Sequence, residues 1–189
     1  MAVLSPVDPQ KSPELKNVYD EIGKSRGWIS NAMQSLAHAP EGLRRFAHLG
    51  DYVRYRTELT ERLRELAIVT IGHQVSYAAT HHAGLAVQAG IPKEAVDEIL
   101  AGRVPGNLPE IERVAVRYVL EFGSPASVSD ATFAEIRNHF SERAITDLTL
   151  VAAYYLAYGT MIKCFRVQLE PKDKLDIEMR WQKAMAEKA

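Results

Sequence analysis

Residues 65–82 read ELAIVTIGHQVSYAATHH, and this segment carries the clearest structural signal in the chain. Its apolar residues recur at intervals of three and four, which is the spacing of an amphipathic helix. Gly72 and Ser76 interrupt that spacing, because glycine costs about 1 kcal/mol in a helix interior and serine favours the position just before a helix. The segment therefore predicts two core helices joined by a short break, the second ending at Gly90.

The same helical spacing extends outward from this segment, with no sustained alternation of apolar and polar residues to indicate a strand. Residues 1–11 are expected to form an extended lead-in, followed by a helix that starts at Ser12-Pro13-Glu14. From Glu142 to about Gln168 the sequence is apolar on almost every side, which is typical of a helix at the centre of a bundle or between subunits. We therefore predict an all-α bundle of about eight to nine helices.

Pro171 is expected to end this central helix, because proline cannot continue one. We predict that residues 1–171 form the helical domain and that residues 172–189 form an amphipathic C-terminal arm. The apolar residues of the arm are Leu175, Met179, Trp181 and Met185. An apolar face of this kind needs cover, so the arm is expected to pack on its own bundle or on a neighbouring subunit.

The charge balance argues against a nucleic-acid partner. The 189 residues include 23 Lys and Arg against 24 Asp and Glu, whereas nucleic-acid binders usually show a basic excess or a basic patch. The densest basic series alternates with acidic residues, which favours a solvated helix face with pairs four residues apart. That series comprises Arg44, Arg45, Arg54, Arg56, Arg62 and Arg64.

Cysteine content and hydropathy favour a cytoplasmic protein. Cys164 is the only cysteine, so no internal disulfide can form. The N-terminal residues lack the apolar core of a signal peptide. The apolar run from Leu148 to Phe165 contains several polar residues, so we predict a buried helix rather than a membrane span. No membrane partner is expected.

A group of chemically capable side chains falls within the central segment. His82 lies on the face predicted to be buried, Glu65 lies near the core face of the preceding helix, and Tyr77 and His81 are one turn apart. Together they could supply a proton acceptor, a proton donor and an oxyanion stabiliser, since burial brings the pKa values of carboxyl and imidazole groups towards neutrality. Spacing alone favours the alternative in which His82 is a satisfied core histidine and Glu65 pairs with an arginine.

Other kinds of site have less support. No His-x-x-x-His pair occurs, and no carboxylate follows His73, His81 or His82 at metal-ligand spacing in the second helix, so no metal site and no cofactor are predicted. The cluster of Tyr154, Tyr155 and Tyr158 is interpreted as core or interface aromatics, one of which could line a cavity. Cys164 is interpreted as a structural thiol.

The central segment and its flanks resemble the carboxymuconolactone decarboxylase and alkylhydroperoxidase D family. The resemblance rests on Glu65-Leu66-Ala67-Ile68-Val69, on Tyr77 to His82 and on QAGIPKE at 88–94, with HAPEGLRRF at 38–46 and VQLEP at 167–171 on either side. It spans about residues 14–171. It implies an all-helical alkylhydroperoxidase D-like fold and a homotrimer or hexamer with pockets near subunit contacts; a dimer is the alternative.

The departures from the family pattern bear on activity. Val75 and Ala78 stand where the peroxidase branch has its Cys-x-x-Cys pair, so a disulfide-based peroxidase is not expected. Ala78 and Ala79 stand where many thiol-free relatives have Glu-Trp. The resemblance carries functional roles over to His82, Tyr77 and Glu65. His81 is added as a catalytic candidate, and His73, Val75, Ala78 and Ala79 are added as pocket-lining residues, from this chain alone.

Three functions follow from these observations. The first is a cofactor-free lyase or proton-transfer enzyme acting on a small carboxylated lactone or a related product of aromatic breakdown. The second is a small-molecule-binding or assembly protein that keeps the fold without catalysis. The third is an antioxidant peroxidase analogue working through Cys164.

Overall fold

The computed structural model describes residues 2–175 and 180, apart from the side chain of Ser76, and these residues contain helices and no strand. The predicted all-α class is therefore confirmed. Nine α-helices lie wholly within the described residues: α1 (Pro13–Arg26), α2 (Asn31–Gln34), α3 (Pro40–Tyr55), α4 (Glu61–Ile71), α5 (Ser76–Gln88), α6 (Lys93–Leu100), α7 (Glu110–Phe122), α8 (Asp130–Arg137) and α9 (Glu142–Cys164).

The chain divides into two compact units, residues 1–52 with 160–189 and residues 53–159. We call them the terminal unit and the central unit. The predicted boundary at residue 171 falls within the terminal unit, and the division that we predicted there stays a prediction. Most of the C-terminal arm, including Met179, Trp181 and Met185, lies outside the described residues.

In the terminal unit, contacts between distant stretches of sequence join the N-terminal residues to residues 165–170. Ser12 caps α1 by accepting a hydrogen bond from the backbone of Leu15, as the Ser-Pro-Glu start predicts. The Val3 amide donates to the carbonyl of Phe165 over 3.0 Å. The buried Glu170 carboxylate accepts from the amide of Asn31 at 2.6 Å.

The core of the central unit is built around α4. Every residue of α4 from Glu65 to Ile71 is buried, and the helix packs against α5, α6 and α7. Thr60 caps its start, with the side chain accepting a hydrogen bond from the amide of Leu63. Aliphatic side chains of these four helices and of the connection between α5 and α6 form one cluster, which includes Leu66, Val69, Ala86, Ile91, Ala95, Val96, Ile99 and Val116. This packing fixes the face of α4 that carries Glu65.

The predicted break between the two core helices is a single turn of 3-10 helix, Gly72–Gln74, followed by Val75 with extended backbone. Val75 rather than Ser76 occupies the N-cap position of α5, and no side-chain capping bond forms there. The expectation that Ser76 caps this helix is therefore wrong. α5 ends at Gln88, and Gly90 follows with φ of +87°, a value that glycine adopts without strain.

The long helix α9 ends at Cys164, earlier than the predicted end near Gln168, and Arg166 turns the chain with φ of +52°. By length and composition it is the one helix among the described residues that could cross a membrane. Half of its most apolar 18-residue window is buried within the protein, which is typical of a core helix.

Candidate functional site

Glu65 on α4 and His82 on α5 meet in the core of the central unit. Their side chains are joined by a hydrogen bond of 2.9 Å between His82 Nδ1 and Glu65 Oε2. Only 4% of Glu65 and 5% of His82 is exposed. The 3-10 turn after Ile71 reverses the chain and allows α5 to pack against α4, which brings the two side chains together.

Two further residues complete this group, which we call the buried quartet: Arg54, Glu65, His82 and Tyr155. Arg54 of α3 donates from Nη1 to the Tyr155 hydroxyl over 2.9 Å. Its Nη2 lies 3.8 Å from Glu65 Oε1. The Tyr155 ring of α9 meets the His82 ring edge to face, with centroids 5.1 Å apart. The four side chains therefore form a closed circle of contacts.

The charges of the quartet keep Glu65 ionised. Burial alone would raise its pKa, but the charge and hydrogen bond of His82, followed by the charges of Arg54 and Arg64, outweigh burial and hold the pKa of the Glu65 carboxyl below its ordinary value of 4.5. A carboxylate only accepts hydrogen bonds, so Nδ1 of His82 must be the donor. In the neutral ring Nε2 then carries the lone pair.

Tyr77 and His81 form a second aromatic pair on α5. Their rings are stacked with centroids 4.5 Å apart and planes inclined by 20°, and both side chains are buried. The predicted proximity of these two residues is confirmed. The phenol whose ring meets His82 is Tyr155, whereas Tyr77 stacks on His81.

The four predicted pocket-lining residues surround the turn between α4 and α5. His73 is half-buried and bonds through Nδ1 to the carbonyl of Thr70 at 2.8 Å. Ala78 is buried and packs against Gly72, and Ala79 is half-buried. The Val75 side chain packs tightly on α9, since a Cβ atom at Gly159 would lie 2.8 Å from its Cγ2. Their role in a pocket stays a prediction.

Sequence reasoning missed Arg54 and Tyr155 as members of the site. The interpretation of the arginine series as a solvated face fails for Arg54, which is 5% exposed, although Arg44 and Arg45 do form surface pairs with Glu41. The missed signal is helical spacing, because Arg54 follows the buried Gly50 by four residues and therefore lies on the same face of α3. Tyr155 was assigned to the core without a polar role.

No group of three or more His, Cys, Asp or Glu side chains within residues 2–175 has a geometry suited to a metal ion. The quartet instead presents one imidazole, one carboxylate, one guanidinium and one phenol. This is a set of donors and acceptors for proton transfer.

The central unit also has an open groove of about 500 Å³, away from the quartet. Three aromatic residues line it, Tyr118, Phe122 and Phe133, and the guanidinium of Arg137 lies 5.4 Å from the centre of the Phe133 ring. The terminal unit has a smaller cavity of about 230 Å³, lined by residues that include Leu4, His38 and Phe165.

Comparison with known proteins places this geometry in a familiar fold. Residues 40–121 match the model of the carboxymuconolactone decarboxylase family, a stretch that contains Arg54, Glu65 and His82. No curated protein sequence matches the chain significantly.

Solved structures share the fold over nearly the whole chain. A peroxidase-related protein with an alkylhydroperoxidase AhpD core from Ralstonia eutropha JMP134 is 18% identical, with a TM-score of 0.76 over 92% of this chain and 94% of that one. A peroxidase-related protein from Silicibacter sp. TM1040 is 17% identical, with a TM-score of 0.75 over 90% and 93%.

A third structure is the debrominase Bmp8, solved as a cysteine-to-alanine variant in complex with 2,3,4-tribromopyrrole. It is 17% identical, with a TM-score of 0.73 over 94% of this chain and all of that one. Residues 40–121 therefore match the carboxymuconolactone decarboxylase family, and the chain has the helical fold of the AhpD-like proteins.

Proposed function

We propose that this protein is a cofactor-free lyase or proton-transfer enzyme that acts on a small carboxylated lactone or a related acid from aromatic breakdown. Glu65 and His82 move the proton. Tyr77 and His81 act as further polar groups of the same reaction, and His73, Val75, Ala78 and Ala79 line the pocket.

The observation that carries this proposal is the hydrogen bond between Glu65 and His82. A histidine that serves only core packing can form its hydrogen bonds with backbone carbonyls, so no charged partner has to be buried beside it. Here the partner is a buried carboxylate, whose desolvation is expensive unless it is compensated. A buried titratable pair with shifted protonation is typical of sites that transfer protons.

The chemistry follows from the acid and base roles of the pair. Loss of carbon dioxide breaks the bond between the carboxylate carbon and the adjacent carbon, which keeps the electron pair as a carbanion delocalised into a dienolate. The imidazolium of His82 gives its Nε2 proton to that carbon and becomes neutral, and it regains a proton from water. Glu65 stabilises the imidazolium through Nδ1–H, as a carboxylate does for other catalytic histidines.

The charge balance of the site supports an anionic substrate. Arg54 provides a buried positive charge beside the Glu65 carboxylate, and the half-buried Arg64 provides a second, which Glu61 also faces. These cations favour a carboxylate and stabilise the dienolate that follows. The debrominase of the same fold binds a small planar ring, which is consistent with a pocket for a compact cyclic acid.

The test is turnover of a panel of γ-carboxylated lactones and β-keto acids by the full chain. We expect carbon dioxide release that falls by at least about 100-fold in His82→Ala, the usual contribution of a general acid or base. His48→Ala is the matched control, because that histidine is 64% exposed at the side chain. Absence of turnover across the panel, or equal rates for both variants and the wild type, would contradict the proposal.

A binding protein without catalysis is the second candidate, and the aromatic groove of the central unit favours it. A ring could stack between Phe122 and Phe133 while a carboxylate pairs with Arg137. In that case phenylacetate binds the wild type, binding weakens in Arg137→Gln, and no substrate in the panel turns over.

Cys164 is exposed at the end of α9, unlike a buried structural thiol. A peroxidase analogue still has less support, because the sequence offers Cys164 no second thiol. For the assembly we propose a homotrimer or hexamer, with a dimer as the alternative, and for the location the cytoplasm. Sedimentation velocity on the purified full chain measures the assembly directly.

A further inference from the structure

We propose that Arg54 is a positioning residue that fixes the proton pattern of the Glu65–His82 pair. Arg54 keeps Glu65 as a carboxylate, so His82 holds its shared proton on Nδ1 and leaves the lone pair of Nε2 free to take up the proton that its imidazolium form gives to the reactant. This inference deepens the proposed function and rests on it for its catalytic consequence, although the proton pattern itself can be measured without any substrate.

The two oxygens of Glu65 have separate partners. Oε2 accepts the hydrogen bond of His82 at 2.9 Å, while Oε1 lies 3.8 Å from Nη2 of Arg54. At that distance Arg54 acts on Glu65 mainly as a charge, since 3.8 Å is too long for a hydrogen bond. A charge in a buried setting is screened little by water, so its influence on the carboxylate is strong.

Among the described residues, charged groups from three helices act on Glu65. His82 faces it from α5, Arg54 faces it from α3, and Arg64 lies next to it on α4. Tyr155 of α9 touches both Arg54 and His82. Arg64 is adjacent to Glu65 in sequence, and its own burial lowers the pKa of its guanidinium group. Arg54 is thus the cation that tertiary packing brings to Glu65.

Tyr155 holds Arg54 in place. Its hydroxyl accepts the Nη1 hydrogen bond at 2.9 Å, which directs the other terminal nitrogen of the guanidinium towards Glu65. Its ring also lies against His82 at 86° between the planes. One tyrosine therefore orients both the cation and the imidazole.

Removal of the Arg54 charge changes where the proton lies. Without this cation the Glu65 carboxyl binds a proton more readily. A protonated Glu65 becomes a donor to Nδ1, and the proton on Nδ1 is replaced by one on Nε2. The Glu65–His82 pair then carries two protons instead of one, the second taken from solvent, and the lone pair at Nε2 is lost.

The experiment is ¹⁵N NMR of histidine-labelled full-length protein, with the His82 signals assigned by their loss in His82→Gln. In the wild type we expect the Nδ1–H tautomer near neutral pH. In Arg54→Gln we expect a shift towards the Nε2–H tautomer, and in Arg54→Lys, which keeps the charge, we expect substantial return of the Nδ1–H form. Arg26→Gln is the matched control, because Arg26 is a shielded arginine paired with Asp51 at 3.1 Å.

An unchanged His82 tautomer and pH titration in folded Arg54→Gln would overturn the inference. If that variant does not fold, the inference is tested with Arg54→Lys and Tyr155→Phe. Tyr155→Phe removes the hydrogen bond that holds the Arg54 guanidinium but keeps its charge. We expect Tyr155→Phe to give a mixture of tautomers, and a spectrum identical to the wild type in both variants would also overturn the inference.

Turnover provides the catalytic half of the test. Where a substrate is found, Arg54→Gln should lower kcat by tenfold or more, change KM less, and shift the acidic limb of the pH profile, while Arg54→Lys recovers part of the rate. If the NMR result is as expected but no acid or lactone turns over, the proposed function fails and the positioning role of Arg54 stands. If turnover occurs and the tautomer is insensitive to Arg54, only this inference fails.

Discussion

The Glu65 carboxylate lies 2.9 Å from Nδ1 of His82 although 17 positions separate the two residues along the chain. The contact depends on the 3-10 turn Gly72–Gln74, which sets the angle at which α5 returns along α4. The turn and the buried pair therefore act as one structural unit. A change in either should be detected in the other.

Replacement of Glu65 by glutamine should destabilise the fold by about 3–5 kcal/mol at neutral pH, because Arg54 lies buried beside the site of the lost charge. The folded-state pKa of Glu65 is lowered from 4.5, so its stabilisation is complete above that value and declines as the pH falls through the folded pKa. Denaturant unfolding followed by circular dichroism at several pH values measures this.

The difference in unfolding free energy between wild type and Glu65→Gln should therefore shrink as the solution is acidified below about pH 4.5. A difference that stays constant from neutral to acidic pH would show that Glu65 does not carry its charge in the folded protein.

Much of the fold could be predicted from local sequence. Apolar spacing identified α4 and α5, and Gly72 marked the break between them, because each signal acts within one or two turns of helix. The burial of Glu65 and His82 could also be predicted, since both lie on apolar stripes. The cap of α5 could not, because tertiary packing of Val75 on Gly159 determines where that helix begins.

The partners of the pair were beyond sequence reasoning. Arg54 and Tyr155 are 101 positions apart, and they meet because the last residues of α3 lie in the central unit together with most of α9. Local patterns contain no information on which two helices become neighbours. The spacing of Arg54 along α3 indicated burial, but the abundance of nearby acidic residues favoured a surface interpretation.

Substitution of Gly159 by alanine should lower stability by about 1–3 kcal/mol, since its Cβ would lie 2.8 Å from Cγ2 of the half-buried Val75, whose β-branched side chain has few alternative rotamers. Gly23→Ala is the matched control, because no atom lies within 4 Å of a Cβ at that helical position. The control should raise stability by roughly 0.5–1 kcal/mol. Thermal unfolding of both variants checks the pair, and equal changes of the same sign would contradict the packing described here.

Arg62→Lys should destabilise the central unit by about 1–2 kcal/mol. The Arg62 guanidinium makes two parallel bonds to Glu112, at 2.6 and 2.9 Å, and a third to the carbonyl of Gly90. Lysine keeps the charge but cannot reproduce a planar fork. Arg45→Lys is the control, since Arg45 is 80% exposed at the side chain and should change stability by less than about 0.5 kcal/mol. Equal unfolding midpoints for the two variants would show that the paired bonds between Arg62 and Glu112 contribute no more to stability than a surface ion pair does.

Leu156→Lys should reduce the mass of the proposed homo-oligomer. Leu156 is 37% exposed on α9, a helix that is apolar on almost every side, and the neighbouring Ala157 is exposed as well. A lysine there would place a charge in any subunit contact on this face, which disfavours association without disturbing the core. Leu169→Lys is the control, because Leu169 has a similar exposure of 43% but lies outside the described helices. Sedimentation velocity should give the wild-type mass for the control and a smaller mass for Leu156→Lys. A monomeric wild type would contradict the proposed assembly. An unchanged mass in Leu156→Lys would exclude this face of α9 from the subunit contacts.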